Sequence, residues 1–317
     1  MDKPAMFDVF VHVNGKFIKV LKKGEMPEED RIMRYIKDRD DTLYIESQEL
    51  EYFLDEKFWV IFDRIGKSED IVDRVKAFAR CLELCYFDVR LVRVHPDKIM
   101  RLAMVVDEAF PLFNDHFAMK DALAVIHREV RSPISLRAVF SATVLLGIVL
   151  SQGKVTDRTF RSIYMGALLR DIGLPMIDNK DPHCIDNFPS DETEAEFKQH
   201  PRVAFEKFKD FDINDDIFES LITQHHEEPL GTGFPNSLKR AQIYQPAQYL
   251  QIIDWLITKV EVAQLLDHAG RINGKAALNI LNSSLPEHSR RFLPLLNDIL
   301  KITFQVSHKL HTVEKSA

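Results

Sequence analysis

The sequence predicts a mainly α-helical protein that carries a small α+β module at its N-terminus. In this module, apolar and polar residues alternate over Phe7–Val13, and a second run follows at Lys16–Leu21. Asn14 and Gly15 separate the two runs, and an Asn-Gly pair is a strong signal for a hairpin with a type I′ turn. From Ser68 onward the apolar spacing is helical almost to the end of the chain, with few strand signals.

The rest of the N-terminal module is expected to be short elements. Pro27–Asp38 has the pattern of a short charged helix, and Thr42–Glu46 that of another strand. Over Ser47–Asp63 the apolar spacing is helical or mixed, so it does not decide the element type. We expect the α+β module to cover residues 1–66, a helical connector to cover 67–130, and a helical domain to cover 131–317.

Local capping signals mark several helix starts in the larger part of the chain. Ser132 precedes Pro133, which combines an N-cap residue with a first-turn proline, and this helix is expected to run to about Gln152. Thr156 opens the next helix, which is expected to end at Gly173. The other expected elements are a helix from Asn214–Asp216 to near His226, a helix from Pro246 past Asp254, helices near Ala276–Asn282 and Glu287–His308, and a long acidic loop over Asp178–Glu196.

Composition limits the class of protein and its surroundings. The 317 residues are 45% apolar and carry a formal net charge of −7, which argues against broad, sequence-independent binding to duplex nucleic acid. Cys81, Cys85 and Cys184 form no CxxC pair, which fits a reducing cytosol. The apolar run Val144–Leu150 is too short to span a bilayer, and Met1–Met6 is too polar to begin a signal peptide. We therefore expect a cytoplasmic protein without a membrane span.

The most informative segment of the chain joins two adjacent histidines to a glycine-rich loop. His225 and His226 lie near the end of an amphipathic segment, and consecutive side chains of a helix diverge by about 100° around its axis. The pair can therefore offer imidazole nitrogens to two neighbouring centres. Gly231 and Gly233 follow closely and allow the backbone to approach a ligand. This combination predicts a two-metal site with a substrate loop beside it.

Further candidate metal ligands recur on successive predicted helices. Asp171, His200 and Asp254 precede and follow the histidine pair at intervals of about one helix–loop–helix step. Pro201, directly after His200, marks a predicted helix start. Asp171 and Asp254 each interrupt an apolar helical run, where a carboxylate has to be paired, hydrogen-bonded or metal-bound. Nitrogen and oxygen ligands without thiolate suit iron, manganese or zinc. A bridging carboxylate such as Asp171 could hold two ions, which together activate a water and neutralise a phosphodiester.

Each of these residues also has a purely structural interpretation. His225 and His226 can be solvated imidazoles at a helix end, and His200 can be a capping residue. Asp171 can pair with Arg170, and Asp254 can be a buried, hydrogen-bonded aspartate. The two glycines of the loop can simply form a turn.

At these positions the chain resembles the HD-GYP branch of the HD phosphohydrolases, over about residues 133–258. The resemblance implies an all-helical bundle, a centre of two or three metal ions that usually contains iron, and hydrolysis of cyclic di-GMP. It also implies an interaction with GGDEF-domain cyclases through the loop. The matching segments are Arg170–Leu174, His200–Pro201, His225–Glu227, Gly231–Pro235 and Asp254.

The departures from the family pattern affect the metal shell and the substrate side. Phe140 and Arg170 replace two histidines, so two imidazole ligands are missing. Leu174 replaces a lysine, Gln248 stands where an arginine is usual, and Phe234 keeps the ring of the usual tyrosine without its hydroxyl. One of two ions would then need unusual ligands or extra water, and Glu227, Lys180 or a residue outside the motif could compensate. Arg170 either binds phosphate in place of a metal or covers the site with its charge.

These observations lead to two functional hypotheses of different classes. The first is a phosphodiesterase that hydrolyses cyclic di-GMP at a centre of two divalent ions, most simply iron, held by Asp171, His200, His225, His226 and Asp254. Asp171 is its catalytic residue. The second is a catalytically degenerate sensor of cyclic di-GMP or a docking module for a GGDEF cyclase. Hydrolysis of a different phosphate ester is a third, weaker alternative. The expected substrate-binding residues are Arg170, Lys180, Gly231, Gly233, Phe234 and Pro235, with Phe234 stacking on guanine.

Overall fold

The computed structural model describes residues 4–13, 15–28, 43–92, 94–115, 119–174 and 190–262. The chain divides into two compact units, Met1–Val60 and Ile61–Ala317. The predicted boundaries at residues 66 and 130 stay a prediction. The predicted helices at 276–282 and 287–308 lie outside the described residues, as do Lys180, most of the predicted helix at 27–38 and most of the predicted acidic loop.

The N-terminal unit contains the predicted hairpin. Strand β1 (Val9–Val13) pairs in antiparallel fashion with β2 (Lys16–Leu21), and Val13 faces Lys16 across the turn. The apolar positions of the two strands form a small core of Val9, Val11, Val20 and Leu21. In the described part of the predicted strand 42–46, only Tyr44 pairs: its backbone exchanges two hydrogen bonds of 2.8 Å with Phe10.

The segment whose type the sequence did not decide is helical. A 3-10 turn at Ser47–Glu49 leads directly into helix α1 (Leu50–Lys67). In the described residues, eight further α-helices follow. They are α2 (Ile71–Phe87), α3 (Pro96–Asp115), α4 (Met119–Glu129), α5 (Pro133–Gln152), α6 (Asp157–Leu169), α7 (Asp191–Phe208), α8 (Asp216–Gln224) and α9 (Gln245–Val262).

Helix α5 lies at the centre of the larger unit. Ser132 caps it, and Pro133 occupies its first turn, as predicted. The helix is long and apolar enough to cross a membrane, with a mean hydropathy of 2.0, but 67% of that apolar window is buried inside the protein. It packs against α4, α6 and α9. The run Val144–Leu150 is therefore only one part of a longer apolar helix, and this helix lies in the protein core.

The helices that carry the candidate site, α6 to α9, are connected by packing through α8. Helix α6 packs against α3, α5 and α8, and α8 packs in turn against α7 and α9. The cap of α8 is formed by Asp215, whose Oδ1 accepts hydrogen bonds from the backbone N–H groups of Ile217 and Phe218. Its Oδ2 accepts a hydrogen bond of 2.6 Å from the Ser162 hydroxyl on α6. Asp215 thus fixes the start of α8 against α6.

Two predicted helix boundaries are wrong. Helix α6 ends at Leu169 and continues only as a turn through Gly173. Helix α7 begins at Asp191, so the end of the predicted acidic loop is helical. Two features explain why the helix begins at Asp191. The Ser190 hydroxyl caps the helix by accepting a hydrogen bond from the Thr193 N–H, and the acidic residues of the first turn are stabilised by the positive end of the helix dipole. Pro201 lies inside α7 and does not start it.

Replacement of Asp215 by alanine is expected to lower the free energy of unfolding by about 1–2 kcal/mol, because the cap of α8 is lost together with the bond to Ser162. Urea denaturation measures this change. The exposed Asp212, in the turn before α8, provides the matched control variant Asp212→Ala. Equal stabilities of the two variants would contradict the role of Asp215.

Candidate metal centre

Four acidic and imidazole side chains converge in the larger unit. Asp171 lies in the turn after α6, His200 in the middle of α7, and His225 and His226 directly after α8. One ligand atom from each of the four lies within 4.8 Å of the others. Asp171, His200 and His225 are buried, whereas His226 is half-buried. The structure thus brings together four of the five predicted metal ligands into a group that can hold a metal ion.

The innermost atoms of this group are two imidazole nitrogens and one carboxylate oxygen. His200 Nε2 lies 3.0 Å from His225 Nε2. Asp171 Oδ1 lies 3.4 Å from the first nitrogen and 3.5 Å from the second. Two nitrogen ligands about 2.1 Å from one ion lie roughly 3 Å apart when the angle at the ion is near 90°. The observed separation of the nitrogens therefore suits one shared ion.

The outer nitrogens of the same two rings determine which nitrogen carries the proton. His200 Nδ1 lies 2.6 Å from the carbonyl oxygen of Phe197, and His225 Nδ1 lies 2.8 Å from that of Ile222. A carbonyl oxygen only accepts, so both Nδ1 atoms donate, and the neutral rings present lone pairs at Nε2. Two facing lone pairs repel unless they share a proton or a metal ion. Nδ1–H bonds to carbonyls are the usual support of metal-bound histidine.

Helix geometry makes both of these carbonyls available. Pro201 has no N–H, so the Phe197 carbonyl four residues earlier loses its usual helical donor. His200 Nδ1 takes that place. The Ile222 carbonyl belongs to the last turn of α8, where carbonyls lack partners within the helix, and it is used by His225. The proline and the helix end therefore orient the two imidazoles.

The fifth predicted ligand, Asp254, binds an arginine in this structure. Arg170 donates from Nε to Asp254 Oδ2 at 2.9 Å and from Nη2 to Asp254 Oδ1 at 2.7 Å. Ser141 donates to the same Oδ1 at 2.9 Å. The Arg170 side chain is 0% exposed, and its Nη1 donates to the Ala167 carbonyl oxygen at 2.5 Å. With no exposed surface, this guanidinium fits a cover over the site better than a phosphate ligand.

Arg170 also contacts the metal-binding group. Its Nη2 lies 3.2 Å from Asp171 Oδ2. Burial by itself lowers the pKa of Arg170, but the charges of Asp171 and Asp254 outweigh this effect, so the pKa is raised. Arg170 therefore stays a fixed positive charge between two carboxylates.

The predicted substrate loop lies beside this group, and hydrogen bonds to Glu227 hold it in place. The buried Glu227 carboxylate accepts hydrogen bonds from the backbone N–H groups of Asn236, at 2.6 Å, and Leu238, at 2.7 Å. Arg202 on α7 donates to the Pro235 carbonyl oxygen at 3.0 Å. Glu227 thus anchors the loop, and this bonding takes both of its oxygens away from the compensating metal role considered for it.

Glycines and an aromatic ring shape the loop. A Cβ atom on Gly233 would lie 2.4 Å from the His226 carbonyl oxygen, so the close turn requires glycine here. Gly231 has φ = +78°, a left-handed conformation that also favours glycine. The Phe234 ring stacks on His226, with centroids 4.5 Å apart, and the bond from Phe234 to Pro235 is cis. The aromatic residue of the loop is therefore in direct contact with a candidate ligand.

Several residues that position the site were not predicted from the sequence. A Cβ atom on Gly173 would lie 2.3 Å from the His200 carbonyl oxygen, so this glycine lets the turn after α6 approach α7. Arg90 donates to the Asp171 carbonyl oxygen at 2.7 Å, and Lys207 to that of Ile172 at 3.2 Å. Burial, followed by the charge of Arg90, lowers the pKa of Lys207. Of these residues, only Gly173 lies within the matching segment Arg170–Leu174, where its place two residues after Asp171 could have indicated a close backbone contact.

The positions that depart from the family pattern contribute no nitrogen ligand. Phe140 is half-buried on α5, and Leu174 is buried at the end of the turn after α6. Lys180 lies outside the described residues. Gln248 on α9 donates to the carbonyl oxygen of Ile243 at 2.8 Å.

Comparison with known proteins supports the fold. The chain is similar in fold to a solved structure described as Bd1817, a HDG"Y"P protein from Bdellovibrio bacteriovorus, with a TM-score of 0.63 over 95% of this chain and 96% of that chain at 21% identity. No protein-family profile matches the chain, and no curated protein matches it. The predicted fold class, a helical bundle with a small N-terminal hairpin unit, is thus confirmed.

Replacement of Pro201 by alanine is expected to move stability and metal affinity in opposite directions. Alanine restores a helical N–H, which stabilises α7 by up to about 3 kcal/mol. The same N–H competes with His200 for the Phe197 carbonyl, and loss of such an outer partner costs about 10–100-fold in metal affinity. Thermal unfolding of the metal-free protein and metal titration measure the two effects.

The control for this variant is Ala204→Gly, which lies one turn further along α7 and is expected to lower stability without changing the His200 contact. Unchanged metal affinity in Pro201→Ala would contradict the positioning role of the proline.

Proposed function

We propose that this protein is a metal-dependent phosphodiesterase of the HD-GYP type that acts on cyclic di-GMP in the cytoplasm. The observation that carries the proposal is the convergence of Asp171, His200, His225 and His226 next to the loop of Gly231–Pro235. A bound cation would activate a water and neutralise a phosphodiester, and the aromatic ring of the loop would offer a base a surface on which to stack.

The donor set favours iron, with manganese or zinc as alternatives. The group offers imidazole nitrogen and carboxylate oxygen, and the two described cysteines, Cys81 and Cys85, are buried on α2. Asp171, His200, His225 and His226 would hold the ion. A bound ion supplies a Lewis acid for the phosphoryl oxygen and lowers the pKa of a bound water. The resemblance implies two ions and would include Asp254 in their shell.

The protein's own residues would orient the nucleotide. The Phe234 ring is half-buried and held against His226, so its remaining surface can stack on a guanine. Gly231 and Gly233 permit the tight turn that places the loop beside the metal-binding group, and Arg202 donates to the carbonyl oxygen of Pro235. Lys180 would supply the phosphate contact that the buried Arg170 does not offer. Because Leu174 replaces a cationic donor, we expect slow turnover.

The second candidate function is a sensor of cyclic di-GMP, or a docking partner of a GGDEF cyclase, without turnover. Two observations favour it. Leu174 is buried and apolar, and Arg170 is committed to two carboxylates. The described turn after α6 therefore offers no cationic side chain to a transferring phosphoryl group. The exposed Leu230 and the adjacent loop would form the docking surface.

Hydrolysis and binding are measured in parallel on protein purified without oxygen and reconstituted with ferrous iron. We expect slow formation of pGpG or GMP from cyclic di-GMP. His226→Ala should lose about 100-fold or more of this activity, because even an outer-shell partner is worth about 10–100-fold. The matched control is His95→Ala, which removes an exposed imidazole paired with Asp97 and should leave activity unchanged.

Calorimetry with cyclic di-GMP separates the two functions. Binding without product above the level of His226→Ala would remove the catalytic proposal and support the sensor. If the protein neither binds nor hydrolyses cyclic di-GMP, both candidate functions are contradicted.

A further inference from the structure

The two oxygens of Asp171 contact two different partners. Oδ1 faces the imidazoles of His200 and His225 at 3.4 and 3.5 Å. Oδ2 lies 3.2 Å from Nη2 of Arg170. In a two-metal site a carboxylate in this position would bridge two cations. Here one of the two cations is part of the chain.

The second carboxylate of the region binds the same guanidinium. Asp254 accepts two hydrogen bonds from Arg170, through Nε and Nη2, in a bidentate pair. Ser141 adds a third donor to Oδ1 of Asp254. The guanidinium thus lies between Asp171 and Asp254, and an ion bound to both carboxylates would have to displace it.

We propose that the Arg170 guanidinium takes the place of the second metal ion, so that the centre binds one ion and Asp254 serves the guanidinium and does not ligate metal. This inference rests on the proposed metal binding by Asp171, His200, His225 and His226. It replaces the two-ion centre that the resemblance implies with a centre of one ion and one fixed organic cation.

The balance of charge supports a single ion. Asp171, Asp254 and Glu227 are buried and supply one negative charge each, and Arg170 neutralises one of them. The carboxylates then leave two negative charges in this region, which a single divalent ion balances. A second divalent ion would add uncompensated positive charge where little water can screen it, which is costly.

The chemistry of arginine suits this role. A guanidinium remains protonated at any ordinary pH and presents its donors as a planar fork that matches carboxylates. Arg170 uses that fork on Asp254 and directs Nη2 also toward Asp171. The fixed charge needs no supply of metal, so one half of the site is preassembled when the chain folds.

The number of ions is measured by elemental analysis of the full chain, purified without oxygen, reconstituted with ferrous iron and freed of unbound metal. We expect about one iron per chain. Oxidised protein should show the electron paramagnetic resonance of an isolated high-spin ferric ion, because a strongly coupled ferric pair would be silent. About two irons per wild-type chain would overturn this inference and leave the proposed metal function standing. No bound iron would overturn both.

Three variants test the assignment of Arg170 and Asp254. Arg170→His removes the guanidinium and supplies an imidazole beside two carboxylates, so the iron content should rise to about two per chain. Asp254→Asn should retain about one iron, because Asp254 is not a ligand. His225→Ala should lose the iron. The matched control is Arg161→His. Arg161 is an exposed arginine that pairs with Asp107, so this variant should keep about one iron per chain.

The Asp254 variant keeps the inference testable if Arg170→His does not fold, as judged by circular dichroism. Loss of iron in folded Asp254→Asn would place Asp254 in the metal shell and overturn the inference. Folded Arg170→His with only one iron would overturn it as well.

Discussion

The carboxylate of Asp171 is the constraint on which the site depends. It is buried at the end of α6, where an isolated negative charge is not tolerated. Arg170 contacts Oδ2 of this carboxylate, and the Nε2 atoms of His200 and His225 lie beside Oδ1. These two sides differ in kind, because the guanidinium is a permanent cation, whereas the imidazoles need a proton or a metal ion to face one another.

The backbone performs much of the positioning. Helices have free carbonyls only where a proline interrupts the hydrogen-bond ladder or where the helix ends, and both situations are used here to hold a histidine ring. The glycine in the turn after α6 and the glycine in the loop remove side chains where backbones meet. The buried Glu227 then fixes the loop through backbone N–H groups. Side chains that do not contact a ligand thus determine where the ligands lie.

The sequence predicted those features that depend on local signals. Ser132 and Pro133 mark a helix start by themselves, and the spacing from the histidine pair to the glycine-rich loop is readable in a single segment. The pairing of Arg170 with Asp254 was not predictable, since it joins residues 84 positions apart, one in the turn after α6 and the other on α9, and tertiary packing decides whether they meet. Pro201 was misread as a helix start, because proline is favoured there and its use inside a helix depends on the neighbouring imidazole.

The most direct measurement is the anomalous diffraction of crystals of the iron-reconstituted protein, recorded at the iron absorption edge. We expect one peak per chain, within bonding distance of Asp171 Oδ1 and of the Nε2 atoms of His200 and His225, with the Arg170 guanidinium still between the two aspartates. A second peak between Asp171 and Asp254 would contradict the role given to Arg170. The absence of any peak among the histidines would contradict the metal centre itself.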